Sequence, residues 1–185
     1  HVPWIFNVKN MDMVVDIDDE YSMRLVRLFN EPAGKNYLKS VGVNPELVDN
    51  LDLLGISSVA NLLGAIKMAK YYEMNEHDII FTLATDSMEL YQSRLKEMHE
   101  AHGKYTERDA AVDYDTCLMN IGIDWMLELS YWDKRRMHNL KYFTWIEQRG
   151  KTLDELNAQW YDDNYWKEKH HSYEKWDELI REFNE

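Results

Sequence analysis

The run Asp78-Ile79-Ile80-Phe81-Thr82-Leu83-Ala84 is apolar at both odd and even positions. A strand of that kind has two faces to cover, the condition of strands inside a parallel sheet wrapped by helices. It leads into Thr85-Asp86-Ser87 and a helix expected to reach about His102, with Gly103 as the residue that ends it. Upstream, Leu53-Leu54-Gly55-Ile56-Ser57-Ser58 has the same form, an apolar approach, a glycine and a hydroxyl pair. Ser57 or Ser58 is expected to cap a helix, Val59 to Lys70, that is apolar nearly all round and therefore buried. Earlier still, Met11 to Ile17 reads as a buried strand, and Asp18 as the cap of a helix with Met23, Leu25, Val26, Leu28 and Phe29 on its apolar face, ending before Pro32. Asn44-Pro45 marks another short helix. Strand and helix in alternation predict an α/β fold, part of a parallel sheet flanked by helices.

Beyond Gly103 the pattern changes. Thr106-Glu107-Arg108-Asp109 opens a helix, Tyr131 to Arg149 forms a second, Thr152-Leu153-Asp154-Glu155 is a capping box, and Ser172 to Phe183 forms a last helix. No strand is expected there. The chain divides into residues 1–104, the α/β portion, and 105–185, an all-helical C-terminal extension holding six of the seven tryptophans. The tryptophans and tyrosines after Trp125 recur at helical spacing, so they are read as core or interface rather than as a stacking platform.

Charge narrows the partners. A formal net charge of −13 repels phosphate backbones and anionic membrane surfaces, so neither nucleic acid nor membrane is expected. With 45% hydrophobic residues the chain is too apolar for a disordered acidic tail. The single cysteine, Cys117, cannot close an internal disulfide and is expected to be buried and inert, which points to a reducing, cytoplasmic setting. His99 with His102, and His170 with His171, lack a third convergent ligand, and no metal is expected. The chain opens His1-Val2-Pro3-Trp4 without methionine, which suggests a piece of a longer protein.

In open sheets, ligands sit beyond the carboxyl ends of strands, where helix starts present bare N–H groups. The turns at Gly55-Ile56-Ser57-Ser58 and Thr85-Asp86-Ser87 both have that form, one βα unit apart. The first turn, with the small-residue helix ending Ala65-Ile66-Lys67-Met68-Ala69, resembles the Gly-Ile-Ser-Ser-Gly segment of cysteine synthases. The second, Ile79 to Tyr91, resembles their apolar strand, serine turn and Glu-Arg-Tyr. The resemblance spans roughly residues 8 to 95 and is to the carboxy-terminal half of the tryptophan-synthase-β type of pyridoxal-phosphate enzyme, which includes threonine synthase. It implies that Ser87 donates a hydrogen bond to the pyridine nitrogen of pyridoxal phosphate and that Gly55 lies against the ring. A neutral hydroxyl there leaves the nitrogen largely unprotonated, which suits β-elimination and β-replacement. Asp86 could compete for the same nitrogen. Val59 stands where cysteine synthases carry a second glycine, and Glu31 to Leu53 is a longer connection than theirs.

No glycine-rich phosphate cradle and no Schiff-base lysine is expected in this chain; both belong upstream of it, and Lys67 and Lys70 are read as solvent-facing. The expectation is therefore a cofactor-binding portion of a lyase or transferase acting on a small amino-acid substrate. Alone it is inactive, and it depends on the missing N-terminal half, in a homodimer. The alternatives are a non-catalytic helical assembly module and a nicked enzyme whose pieces stay together.

Overall fold

The computed structural model describes residues 2–185. The chain forms two compact units, one contiguous, Val15–Met126, and one made of residues 2–14 with Leu127–Glu185. Among the described residues there are two strands, β1 (Met13–Val15) and β2 (Met126–Glu128), paired with each other. The Leu129 N–H donates to the Asp12 carbonyl at 2.8 Å and the Asp16 N–H to the Trp125 carbonyl at 2.9 Å, a constant residue sum that makes the pair antiparallel.

The expected parallel sheet flanked by helices is therefore corrected to a mainly helical architecture. β1 realises only the centre of the expected 11–17 strand, and its partner comes from the region expected to contain none. Residues 79–84 form no regular element, and none of their backbone groups pairs with another backbone group. Ile79 is 88% exposed and Phe81 90%. The physical reason is that strand propensity is realised only against a neighbouring strand, and the described residues offer this run none.

In the contiguous unit, α1 (Asp19–Asn30) starts where the Asp18 carboxylate accepts from the Glu20 N–H at 2.9 Å. It buries Leu25, Val26, Leu28 and Phe29. Pro32 opens α2 (Pro32–Ser40), and Asn44 caps α3 (Pro45–Asp49) by accepting from Glu46 and Leu47. Next comes α4 (Ile56–Tyr71), whose N-cap is Gly55 rather than Ser57 or Ser58. It is not apolar-buried all round: Val59 and Leu63 are fully buried, whereas Asn61 is exposed. A short 3-10 turn, Met88–Tyr91, precedes α5 (Gln92–His102), which Gly103 ends at φ 75°. Thr106 and Asp109 form a reciprocal capping box on α6 (Glu107–Asp113). One polar network ties α6 to α1: Asp113 accepts from Arg24 Nε and from the Tyr105 hydroxyl, both at 2.7 Å. Burial and this carboxylate together push the Tyr105 phenol well above its ordinary range. Cys117 is buried, and desolvation raises its thiol to about 11.

In the second unit, α7 (Tyr131–Asn139) carries a capping box of Ser130 and Asp133 and stops short of the expected Arg149. A π-helical segment, Tyr142–Ile146, follows it. Then come α8 (Leu153–Tyr161), α9 (Tyr165–His171) and α10 (Tyr173–Asn184). Thr152 caps α8, but Glu155 accepts from Trp4 and Tyr165 instead of closing the box. Lys141 is fully buried and donates to the Trp4 and Phe6 carbonyls and to Gln159, at 3.0, 2.7 and 2.7 Å. Desolvation lowers its ammonium to about 8.

His138 is buried beside Trp160, and its Nε2–H donates to the Leu156 carbonyl at 2.9 Å. Burial pushes the imidazole down to about 4. An unfolded histidine takes its proton near 6.5, so the folded state loses stability as pH falls from about 6.5 towards 4, by up to about 3 kcal/mol. Denaturant midpoints followed by tryptophan fluorescence should fall over that window, and the fall should be shallower in a His138→Phe chain. Equal slopes in the two proteins would remove histidine from the account.

Candidate functional site

The two turns singled out above meet. The Gly55 N–H donates to the Asp86 carbonyl at 2.7 Å. One turn of α4 later, Ser58 Oγ accepts from the Thr85 N–H at 3.0 Å and donates to the Asp86 carbonyl at 3.5 Å. Ser58 is therefore spent on fastening the second turn to the first, which explains why it does not cap its own helix. A glycine is required at 55 because a Cβ there would stand 2.2 Å from Asp86 Oδ1 and 2.8 Å from its carbonyl oxygen. Met88, fully buried, anchors the chain just past the second turn.

Asp86 is engaged on both oxygens. Oδ2 accepts from the Tyr91 hydroxyl at 2.5 Å and Oδ1 from Thr85 Oγ1 at 3.2 Å. The hydrogen bond to this carboxylate is the leading cause that raises the Tyr91 phenol above its ordinary value. Ser87, half-buried at the start of the 3-10 turn, has a hydroxyl with no hydrogen-bond partner among the described residues. Of the two residues that could face a ring nitrogen, Ser87 is the free one. Gly55 is not free: Asp86 fills the notch that a cofactor ring would need. No lysine among the described residues hydrogen-bonds to either turn. At these turns only the Ser87 hydroxyl, among the residues the resemblance implies, is left without a protein partner, and no described residue there supplies an aldimine or phosphate contact.

Lys67, expected to face solvent, is 4% exposed and donates to the Asp16 carbonyl at 2.9 Å. Its signal was present in the spacing, since Val59, Leu63 and Lys67 recur every four residues on one stripe of α4. Lys70 is exposed but donates to the carbonyls of Met119 and Ile121, both at 2.8 Å. His99, His102, His170 and His171 are exposed, and among the described residues no group of three histidine, cysteine or acidic side chains is placed to hold a metal. Nor is any helix among them long and apolar enough to cross a membrane.

No family model, curated protein or solved structure matches this chain.

Proposed function

We propose that the chain supplies the pyridine-side wall of a pyridoxal-phosphate site, with the rest of that site contributed by another polypeptide segment. The observation that carries this reading is the junction of the two turns, which leaves the Ser87 hydroxyl half-buried and unspent while Asp86 is occupied. Bound there, the cofactor would serve as an electron sink for β-elimination or β-replacement on a small amino acid. Ser87 would donate to the ring nitrogen, and Gly55 would approach the ring only if Asp86 withdrew from its notch. The free, buried Cys117 accords with a reducing cytoplasmic setting, and a homodimer with an N-terminal companion segment is the assembly this reading implies.

A second reading has its own support. α10 exposes Trp176, Leu179, Ile180 and Phe183 along one apolar stripe, the pattern of an assembly helix.

Titration with pyridoxal phosphate, followed by cofactor absorbance, tests the first reading. The chain should bind the cofactor without forming an adduct that borohydride fixes to one of its lysines. Ser87→Ala should weaken binding about fivefold, the worth of one neutral hydrogen bond. Equal binding by the two proteins, no binding by the unsubstituted chain, or a reduced lysine adduct would each overturn it. The assembly reading leaves the cofactor unbound by either protein, so the same titration separates the two.

A further inference from the structure

Lys67 sits at the base of a cavity of about 320 Å³ in the contiguous unit, remote in its chemistry from the Ser87 turn. An ammonium has three donors. Lys67 spends one on the Asp16 carbonyl and forms no ion pair, although it is 4% exposed. A buried cation with open donors calls for an anionic partner. The cavity wall is Ile17, Tyr21 and Trp125, and its remaining charged residues, Asp16, Asp18 and Asp124, are all exposed carboxylates.

Two features show a shaped mouth. Trp125 is 76% exposed and holds a left-handed backbone at φ 57°, a conformation that costs a non-glycine residue about 1 kcal/mol and concentrates at ligand-binding positions. Its carbonyl is held by the Asp16 N–H at 2.9 Å. Asp124 folds back over Gly122, where a Cβ would stand 2.6 Å from Asp124 Oδ1, so a side chain at 122 would displace the rim.

Three carboxylates at the mouth repel a simple anion, and a simple cation held among them leaves the open donors of Lys67 unanswered. A ligand that satisfies both has a carboxylate at one end and positive charge at the other. We propose that this cavity binds a basic α-amino acid, its carboxylate on Lys67 and its ammonium groups among Asp16, Asp18 and Asp124. The exposed indole of Trp125 offers a further face for the cationic end. This site does not rest on the pyridoxal-phosphate reading and survives its failure.

Calorimetric titration of the full chain with L-lysine tests it, with cadaverine as a carboxylate-free diamine and L-glutamate as a ligand of the wrong charge. L-Lysine should bind, and cadaverine about tenfold more weakly, since it cannot accept from Lys67. L-Glutamate should be weaker still. The double change Asp16→Asn with Asp124→Asn, at two exposed positions, should lower L-lysine affinity about tenfold while leaving the melting temperature unchanged, and Lys67→Met should abolish binding. Absence of L-lysine binding overturns the proposal, as does cadaverine binding equally well or a double variant that binds like the parent. The two exposed positions keep the outcome decisive if Lys67→Met fails to fold.

Discussion

Replacing Asp113 by alanine should destabilise the contiguous unit by about 3 kcal/mol, the cost of breaking a buried charged pair from one side. The carboxylate accepts from Arg24 and Tyr105 at once, and its side chain is only 8% exposed. Arg24 is 26% exposed and recovers some hydration after the change, but Tyr105 is 4% exposed and its hydroxyl would be left without an acceptor. That orphaned donor accounts for about 1–3 kcal/mol by itself. Asp113→Asn keeps an acceptor for the phenol and should cost less than the alanine change, and Tyr105→Phe, which takes one donor from Asp113 but leaves its ion pair with Arg24, should also cost less than the alanine change. Urea midpoints of the four proteins order these effects. An alanine variant as stable as the parent would show that the network holds nothing.

Glycine-to-alanine changes at two helical positions should have opposite signs. In α2, a Cβ on Gly34 would stand 2.1 Å from the Leu28 carbonyl oxygen and 2.8 Å from its Cα. These are backbone atoms of α1 and cannot rotate aside, so the helices must separate and the buried contacts around Leu28 and Leu38 open. Alanine gains about 1 kcal/mol in helix propensity. Overpacking against backbone costs about 3 kcal/mol and wins. In α4, nothing lies within 4 Å of a Cβ at Gly64, so there only the propensity term acts. Thermal melts should show Gly34→Ala lowered by several degrees and Gly64→Ala raised by a smaller amount. A stable Gly34→Ala chain would show that α1 and α2 do not cross as closely as described.

What the sequence makes legible is local. Asp18, Asn44-Pro45, Thr106 and Gly103 end or begin helices at the positions their side chains and backbone freedom dictate, because cap and helix lie within a few residues. Ser58 shows where that reasoning stops. Its hydroxyl suits the start of α4 equally well, but a partner 27 residues away, the Thr85 N–H, takes it. The apolar run at 79–84 fails for the same reason on a larger scale, since its pairing depends on residues far from it in sequence. At the candidate site, Gly55 and Ser87 were legible as members of two turns, and the turns do meet. That Asp86 would occupy the glycine's notch was not legible, because it follows from the three-dimensional junction. The charge of Lys67 points to solvent, but its place on the Val59 and Leu63 stripe decides, because a long side chain can bury its stem and reach a carbonyl.

The second unit is assembled from both ends of the chain. Trp4 donates to Glu155, and Lys9 to the Trp160 carbonyl, each across 151 residues of sequence. On a ribosome, Trp4 emerges before Val15–Met126 and meets these partners only after the whole of that interval has been made and has had time to settle. Closing so long a loop costs less entropy once that interval is already compact, so the order of synthesis favours Val15–Met126 as the part that folds before these contacts form.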